Sequence, residues 1–162
     1  MTEPGARGAW RRCVVPATHF MVMLDDEIYR AERYGIAISL ILADAPGTSA
    51  RSAAYLDFAA ECLRRIDLGT TLRSGLIAIC LPHTRSSGAQ GVGMRLREAL
   101  PGAVISIVTF PEDGRTAEQL LNAAECLLDV RKTIGPALAK PPAVGRRSAQ
   151  HNEHHRSRAS SS

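Results

Sequence analysis

Aromatic side chains are scarce in this chain of 162 residues, at 4%. None interleaves with the arginines near the C-terminus, which removes the stacking platform used to read single-stranded nucleic acid. No apolar run is long enough for a membrane-crossing helix, so no membrane insertion is expected. Arg11-Arg12 and Cys13-Val14-Val15 start like a secretory signal, but Pro16, Thr18 and His19 interrupt it before an apolar core can form. A cytoplasmic location is the expectation. Cys13, Cys62, Cys80 and Cys126 lack metal-type spacing, and three of them sit in apolar patterns, which points to reduced structural thiols. The body of the chain also lacks net charge. The formal +4 equals Lys140, Arg146, Arg147, Arg156 and Arg158 less Glu153, all beyond residue 132. The high pI therefore belongs to a tail and says little about the domain.

What is present is a chain long enough for one domain with a real core. Residues 1–16 have no period and read as a flexible leader. A helix is expected from Thr18, with Phe20, Leu24, Ile28 and Ala31 on one face and Asp25, Asp26, Glu27 and Arg30 on the other, ending at Tyr34-Gly35. Ile36–Ala43 is a strand apolar on both faces, closing on Asp44, and 45–52 is a loop. Tyr55–Ile66 returns to helical period through Phe58, Ala59, Cys62 and Leu63. Leu68–Leu72 and Leu76–Pro82 form a hairpin turned at Arg73-Ser74-Gly75. A third helix opens at 83–86 and buries Ala89, Val92, Leu96, Ala99 and Leu100; a strand follows at Ala103–Phe110.

The turn 111–114 leads to Thr116 and Gln119, spaced as a capping box. The helix after it buries Ala117, Leu120, Leu121, Ala124, Leu127 and Leu128. Residues 133–162, rich in Pro, Ala, Arg, His and Ser, cannot build a core and read as a disordered basic tail. The domain is thus 17–132. Without its first and last helices the order is βαββαβ, the α/β (α+β) ferredoxin-like arrangement, an antiparallel sheet with helices on one face and two further helices that could cover more of it.

Several segments are similar to the GGDEF domain, the diguanylate cyclase family of the nucleotide-cyclase-like fold. They are F-M-V-M-L-D-D-E-I-Y-R-A-E-R-Y-G (Phe20 to Gly35), R-L-R-E-A-L (Arg95 to Leu100) and S-I-V-T-F-P-E-D-G-R-T-A-E-Q-L-L-N-A-A-E (Ser106 to Glu125). The last is two residues shorter in its strand than the family's usual form. The resemblance covers roughly residues 18 to 132.

The resemblance implies a bacterial signalling domain that joins two GTP molecules into cyclic di-GMP, two domains facing each other around two metal ions. Asp44 matches the first metal carboxylate, and Lys132 matches a phosphate-facing lysine. A gap-free alignment places the signature Gly-Gly-Asp/Glu-Glu-Phe on Arg73, Ser74, Gly75, Leu76 and Ile77. Gly75 then stands for the second metal carboxylate and Leu76 for the acid after it. The Phe and Lys that follow the first acid are replaced within Pro46, Gly47, Thr48 and Ser49, and the guanine-reading Asn has no equivalent. One carboxylate cannot do the work of two, and losing groups that meet developing charge costs powers of ten in rate.

The family's product-binding Arg-x-x-Asp matches Arg64 and Asp67, where Arg64 would fork onto guanine or phosphate and Asp67 would accept from guanine N–H groups. The same pair also reads as a solvated ion pair at a helix end. The expectation is a catalytically inactive regulatory module with no resident cofactor, magnesium entering only with residual activity. Its expected partners are a protein, a second copy, or cyclic di-GMP. The alternatives are a residual diguanylate cyclase and non-specific binding of anionic polymers through the tail, whose His151, His154 and His155 could also pick up a metal.

Overall fold

The structure, a computed structural model, describes residues 13–46 and 52–135. The side chains of 52–54 and 58 lie outside that description, as do residues 1–12 of the expected leader and the tail from 136. The elements are α1 (Ala17–Tyr34), β1 (Ile38–Asp44), α2 (Ser52–Ala60), β2 (Leu68–Thr71), β3 (Ile77–Pro82), α3 (Ser86–Ala99), β4 (Val104–Phe110) and α4 (Ala117–Ile134). The sheet order is β2-β3-β1-β4, with every pair antiparallel.

β1 alternates its apolar side chains between two cores. Ile38, Leu40 and Leu42 face α1 and α4, meeting Phe20, Leu24, Leu120 and Leu128. Ile41 and Ala43 face α2 and α3, meeting Leu56, Ala59, Val92 and Leu96. Helices therefore cover both faces: α2 and α3 of the βαββαβ unit lie on one, and α1 and α4, the two further helices expected outside it, supply the second layer. This is why β3 reads as an unbroken apolar run and β1 as one interrupted only by Ser39, whose hydroxyl donates to Thr84 O (2.9 Å).

α1 stops where Gly35 turns left-handed (φ 64), a conformation glycine adopts without a Cβ clash. At α4, Thr116 Oγ1 accepts from Gln119 N (3.1 Å), and Gln119 Oε1 accepts from Arg115 N (2.9 Å). The reciprocal bond thus reaches one residue before the cap. α4 runs two residues past the expected boundary at Lys132. α2 is shorter than its period suggested: it ends at Ala60, and Ile66, expected inside, is 52% exposed.

Both sheet edges are covered. Beside β2, Cys13–Val15 runs parallel: Val14 bridges Gly69, Val15 N donates to Gly69 O (3.0 Å), and Gly69 N donates to Cys13 O (2.7 Å). The end of the expected leader is thus part of the fold. On β4, Asp113 and Thr109 exchange bonds through Thr109 N to Asp113 Oδ2 (2.7 Å) and Asp113 N to Thr109 O (2.9 Å). Arg131 Nη1 donates to Ile105 O (2.7 Å). Such cover blunts pairing with other chains.

Candidate functional site

The strand register sorts the expected site residues to two ends of the sheet. Ala43 pairs with Ile77, so Asp44 and the Arg73-Ser74-Gly75 tip share one end. Ile38 pairs with Pro82 and Leu68 with Cys80, so Asp67 lies at the other. Seven residues of β1 separate the ends, roughly 20 Å at strand rise.

At the first end Asp44 meets a cation from the chain itself. Lys132 Nζ, on the last turn of α4, lies 2.6 Å from Asp44 Oδ2 and 3.9 Å from Asp129 Oδ1. The two residues matched to metal and phosphate are brought together, one against the other. Each is little more than one-third exposed, so neither carries the full desolvation cost of burial. The hairpin tip adds no acid. Arg73 and Ser74 are exposed, and Gly75 sits at φ 84 with its N–H on Leu72 O (2.9 Å). A side chain at that φ is strained. In the loop after β1, the Pro46 carbonyl accepts from Tyr55 O–H (2.9 Å); Gly47, Thr48 and Ser49 lie outside the described residues.

Would these side chains suit a pair of divalent ions? Magnesium takes hard oxygen ligands and bridges them to phosphate. Here Asp44 has an ammonium in contact, and Asp129, 3.9 Å from that ammonium, is 80% exposed. Among the described residues no three His, Cys, Asp or Glu side chains cluster for a metal ion. The donor set does not fit.

At the second end Arg64 and Asp67 close on each other. Asp67 Oδ2 accepts from Arg64 N (2.7 Å) and Nε (3.3 Å), and Oδ1 accepts from Arg64 Nη2 (3.0 Å). Arg64 Nη2 also donates to Pro82 O (3.1 Å) and Thr84 Oγ1 (2.6 Å). The Asp67 side chain is 1% exposed, whereas that of Arg64 is 51% exposed. The carboxylate therefore holds the Arg64 guanidinium with both oxygens taken, and the guanidinium staples the α2–β2 turn to the β3–α3 junction. A guanine edge reaching Asp67 has to displace charge-assisted bonds worth about 1.5–3 kcal/mol each. α2 has already tightened before this turn: Cys62 N donates to Ala59 O (2.9 Å) and Leu63 N to Ala60 O (3.1 Å), bonds three residues back rather than four.

The thiols are all free: Cys13 and Cys80 are buried, Cys62 is half-buried, and Cys126 is exposed. Burial pushes the Cys80 thiol far up, with the carboxylates of Glu27 and Asp67 adding to it. The Arg131 guanidinium is lowered by burial and then by Arg97.

One feature escaped the sequence. A cleft of about 800 Å³ opens between the end of α1, the start of α3 and the turn after β4, lined by Glu32, Arg85, Ser86, Glu112 and Arg115 among others. Its residues come from three distant segments and no motif links them. Among the described residues no helix is long and apolar enough to cross a membrane.

No family model matches the sequence, and no curated protein matches it. Solved structures do match. The GGDEF domain of YfiN (TpbB) from Pseudomonas aeruginosa is 15% identical at a TM-score of 0.68, over 76% of this chain and 93% of that one. A sensory box/GGDEF family protein from Caulobacter crescentus is 20% identical at 0.63, over 75% and 94%. The GGDEF domain of DgcB from Caulobacter crescentus, solved in complex with c-di-GMP, is 13% identical at 0.63, over 83% and 92%. The chain has the fold of the GGDEF domain.

Proposed function

We propose that this chain is a catalytically silent GGDEF-fold module of cyclic di-GMP signalling that acts in the cytoplasm through protein contact. The observation behind it is the Lys132–Asp44 ion pair. A fixed ammonium neutralises the carboxylate that the family devotes to a metal, and the tip at Gly75 supplies no second acid. An ammonium offers no open coordination position, so it cannot lower the barrier to phosphoryl transfer as a metal does. Protein contact draws support from a fold neighbour, the diguanylate cyclase SiaD of Pseudomonas aeruginosa, solved with its activator SiaC. Incubation with GTP and magnesium or manganese, read by chromatography, tests the proposal. No cyclic di-GMP above the level of Asp44→Ala is expected. Product abolished by that substitution overturns it.

A second reading, a cyclic di-GMP receptor, draws on the half-exposed Arg64 guanidinium. Calorimetric titration of the dinucleotide into wild type and Arg64→Ala separates the two. Heat in the wild type that vanishes in the variant favours the receptor; none in either favours the contact module.

A further inference from the structure

Cys13–Pro16 forms a strap linking three parts of the molecule. It covers the outer edge of β2 through the two backbone bonds to Gly69, and Thr70 Oγ1 donates to Val15 O (2.7 Å). Its thiol reaches the turn after α2, with Cys13 Sγ on Arg64 O (3.4 Å). At its other end Pro16 O accepts from Phe20 N (2.9 Å), starting α1. The Arg64–Asp67 turn is consequently gripped twice, by the strap on its backbone and by the Arg64 guanidinium on Pro82 and Thr84.

We infer that the strap opens as a local unit and that its opening loosens the Arg64–Asp67 turn. Local opening follows from the strap's bonding. It lies on the sheet edge, its backbone ladder is with Gly69, and Val14 and Val15 are half-buried. The centre of the sheet, by contrast, is locked on both faces. Segments with few apolar contacts and edge hydrogen bonds open below the global free energy. Coupling follows from geometry: with the strap lifted, the Arg64 carbonyl loses the thiol, and Gly69, two residues after Asp67, loses both strap bonds. The inference does not depend on the proposed function.

Peptide-resolved thiol alkylation of the full chain tests it, with each rate normalised to the unfolded protein. Cys13 is 3% exposed and Cys80 0%, so both react only after opening. Cys13 is expected to label at least tenfold faster than Cys80. Thr70→Val removes one hydroxyl bond to the strap while keeping side-chain shape, and should speed Cys13 about fivefold; global opening breaks the same bond, so Cys80 should speed by a like factor and the gap between the two thiols should persist. Thr70→Ser, which keeps the hydroxyl, should restore the slower rate. Hydrogen exchange at the Arg64 and Asp67 amides should rise with Cys13 labelling. Equal rates at Cys13 and Cys80 in the wild type, or a Cys13 rate that Thr70→Val leaves unmoved, overturn local opening. Faster Cys13 labelling with those two amides unchanged overturns the coupling.

Discussion

Lys132 Nζ and Asp44 Oδ2 are 2.6 Å apart, tying the last turn of α4 to the end of β1. The contact joins the two residues that the sequence resemblance matches to a metal carboxylate and a phosphate-facing lysine. Because both side chains remain about one-third exposed, water screens the attraction. Asp44→Asn and Lys132→Met should each cost less than about 1 kcal/mol, as should their coupling in a double-mutant cycle by urea unfolding. A coupling of several kcal/mol contradicts this.

The second ion pair behaves differently because one partner is enclosed. Asp67→Ala removes the acceptor of three Arg64 bonds and should cost about 3 kcal/mol in urea unfolding. Arg64→Ala leaves the carboxylate buried with only the Arg64 N–H, and should cost a similar amount. If Asp67→Ala is neutral, the carboxylate is not a staple.

Two glycines distinguish side-chain from backbone crowding. A Cβ on Gly114 would lie 2.9 Å from Leu120 N and 3.0 Å from Gln119 C, atoms held by the α4 cap. Gly114→Ala should cost about 2 kcal/mol. A Cβ on Gly93 would meet only the tip of Ile107, at 2.9 Å from Cδ1. That tip can rotate, and alanine in a helix gains about 1 kcal/mol over glycine. Gly93→Ala should therefore change thermal stability little.

Cys80 gives stability a pH slope. Its thiol is raised in the folded chain from an ordinary value of 9.0, chiefly by burial. Above pH 9.0 the unfolded chain has lost this proton while the folded chain keeps it, so stability falls as pH rises. Below 9.0 the contribution is fully present. Thermal midpoints of wild type and Cys80→Ala should converge between pH 8 and 10, the substitution removing part of the decline. Parallel curves contradict the assignment.

Much of the fold was legible because burial writes itself into the sequence. β1 and β3 are apolar at successive positions since helices lie on both faces, and α1 and α4 keep a 3.6-residue stripe. α2 was overextended for a physical reason. Cys62 and Leu63 continue the apolar period and do pack against the second core, but their N–H groups bond three residues back, to Ala59 and Ala60, so they sit in a tightened turn beyond the α-helix. The strap was missed because Cys13-Val14-Val15 is too short to carry a period, and its partner Gly69 is remote in sequence.

The site was legible as residue types and not as contacts. Asp44, Gly75 and Lys132 were each identified, yet no spacing rule pairs the end of the first strand with the last turn of the last helix. Likewise Arg64-x-x-Asp67 has the spacing of a ligand motif and of a local staple. Only the burial of Asp67 and the two bonds from Arg64 to Pro82 and Thr84 separate those roles.

Manganese binding followed by electron paramagnetic resonance tests the central claim most directly. Added to Mn²⁺, or to Mn²⁺ with GTP, the protein should leave the metal spectrum as it is without protein, in wild type and Lys132→Met alike. A wild-type protein that depletes the free-ion signal, with the signal restored by Asp44→Ala, contradicts the account.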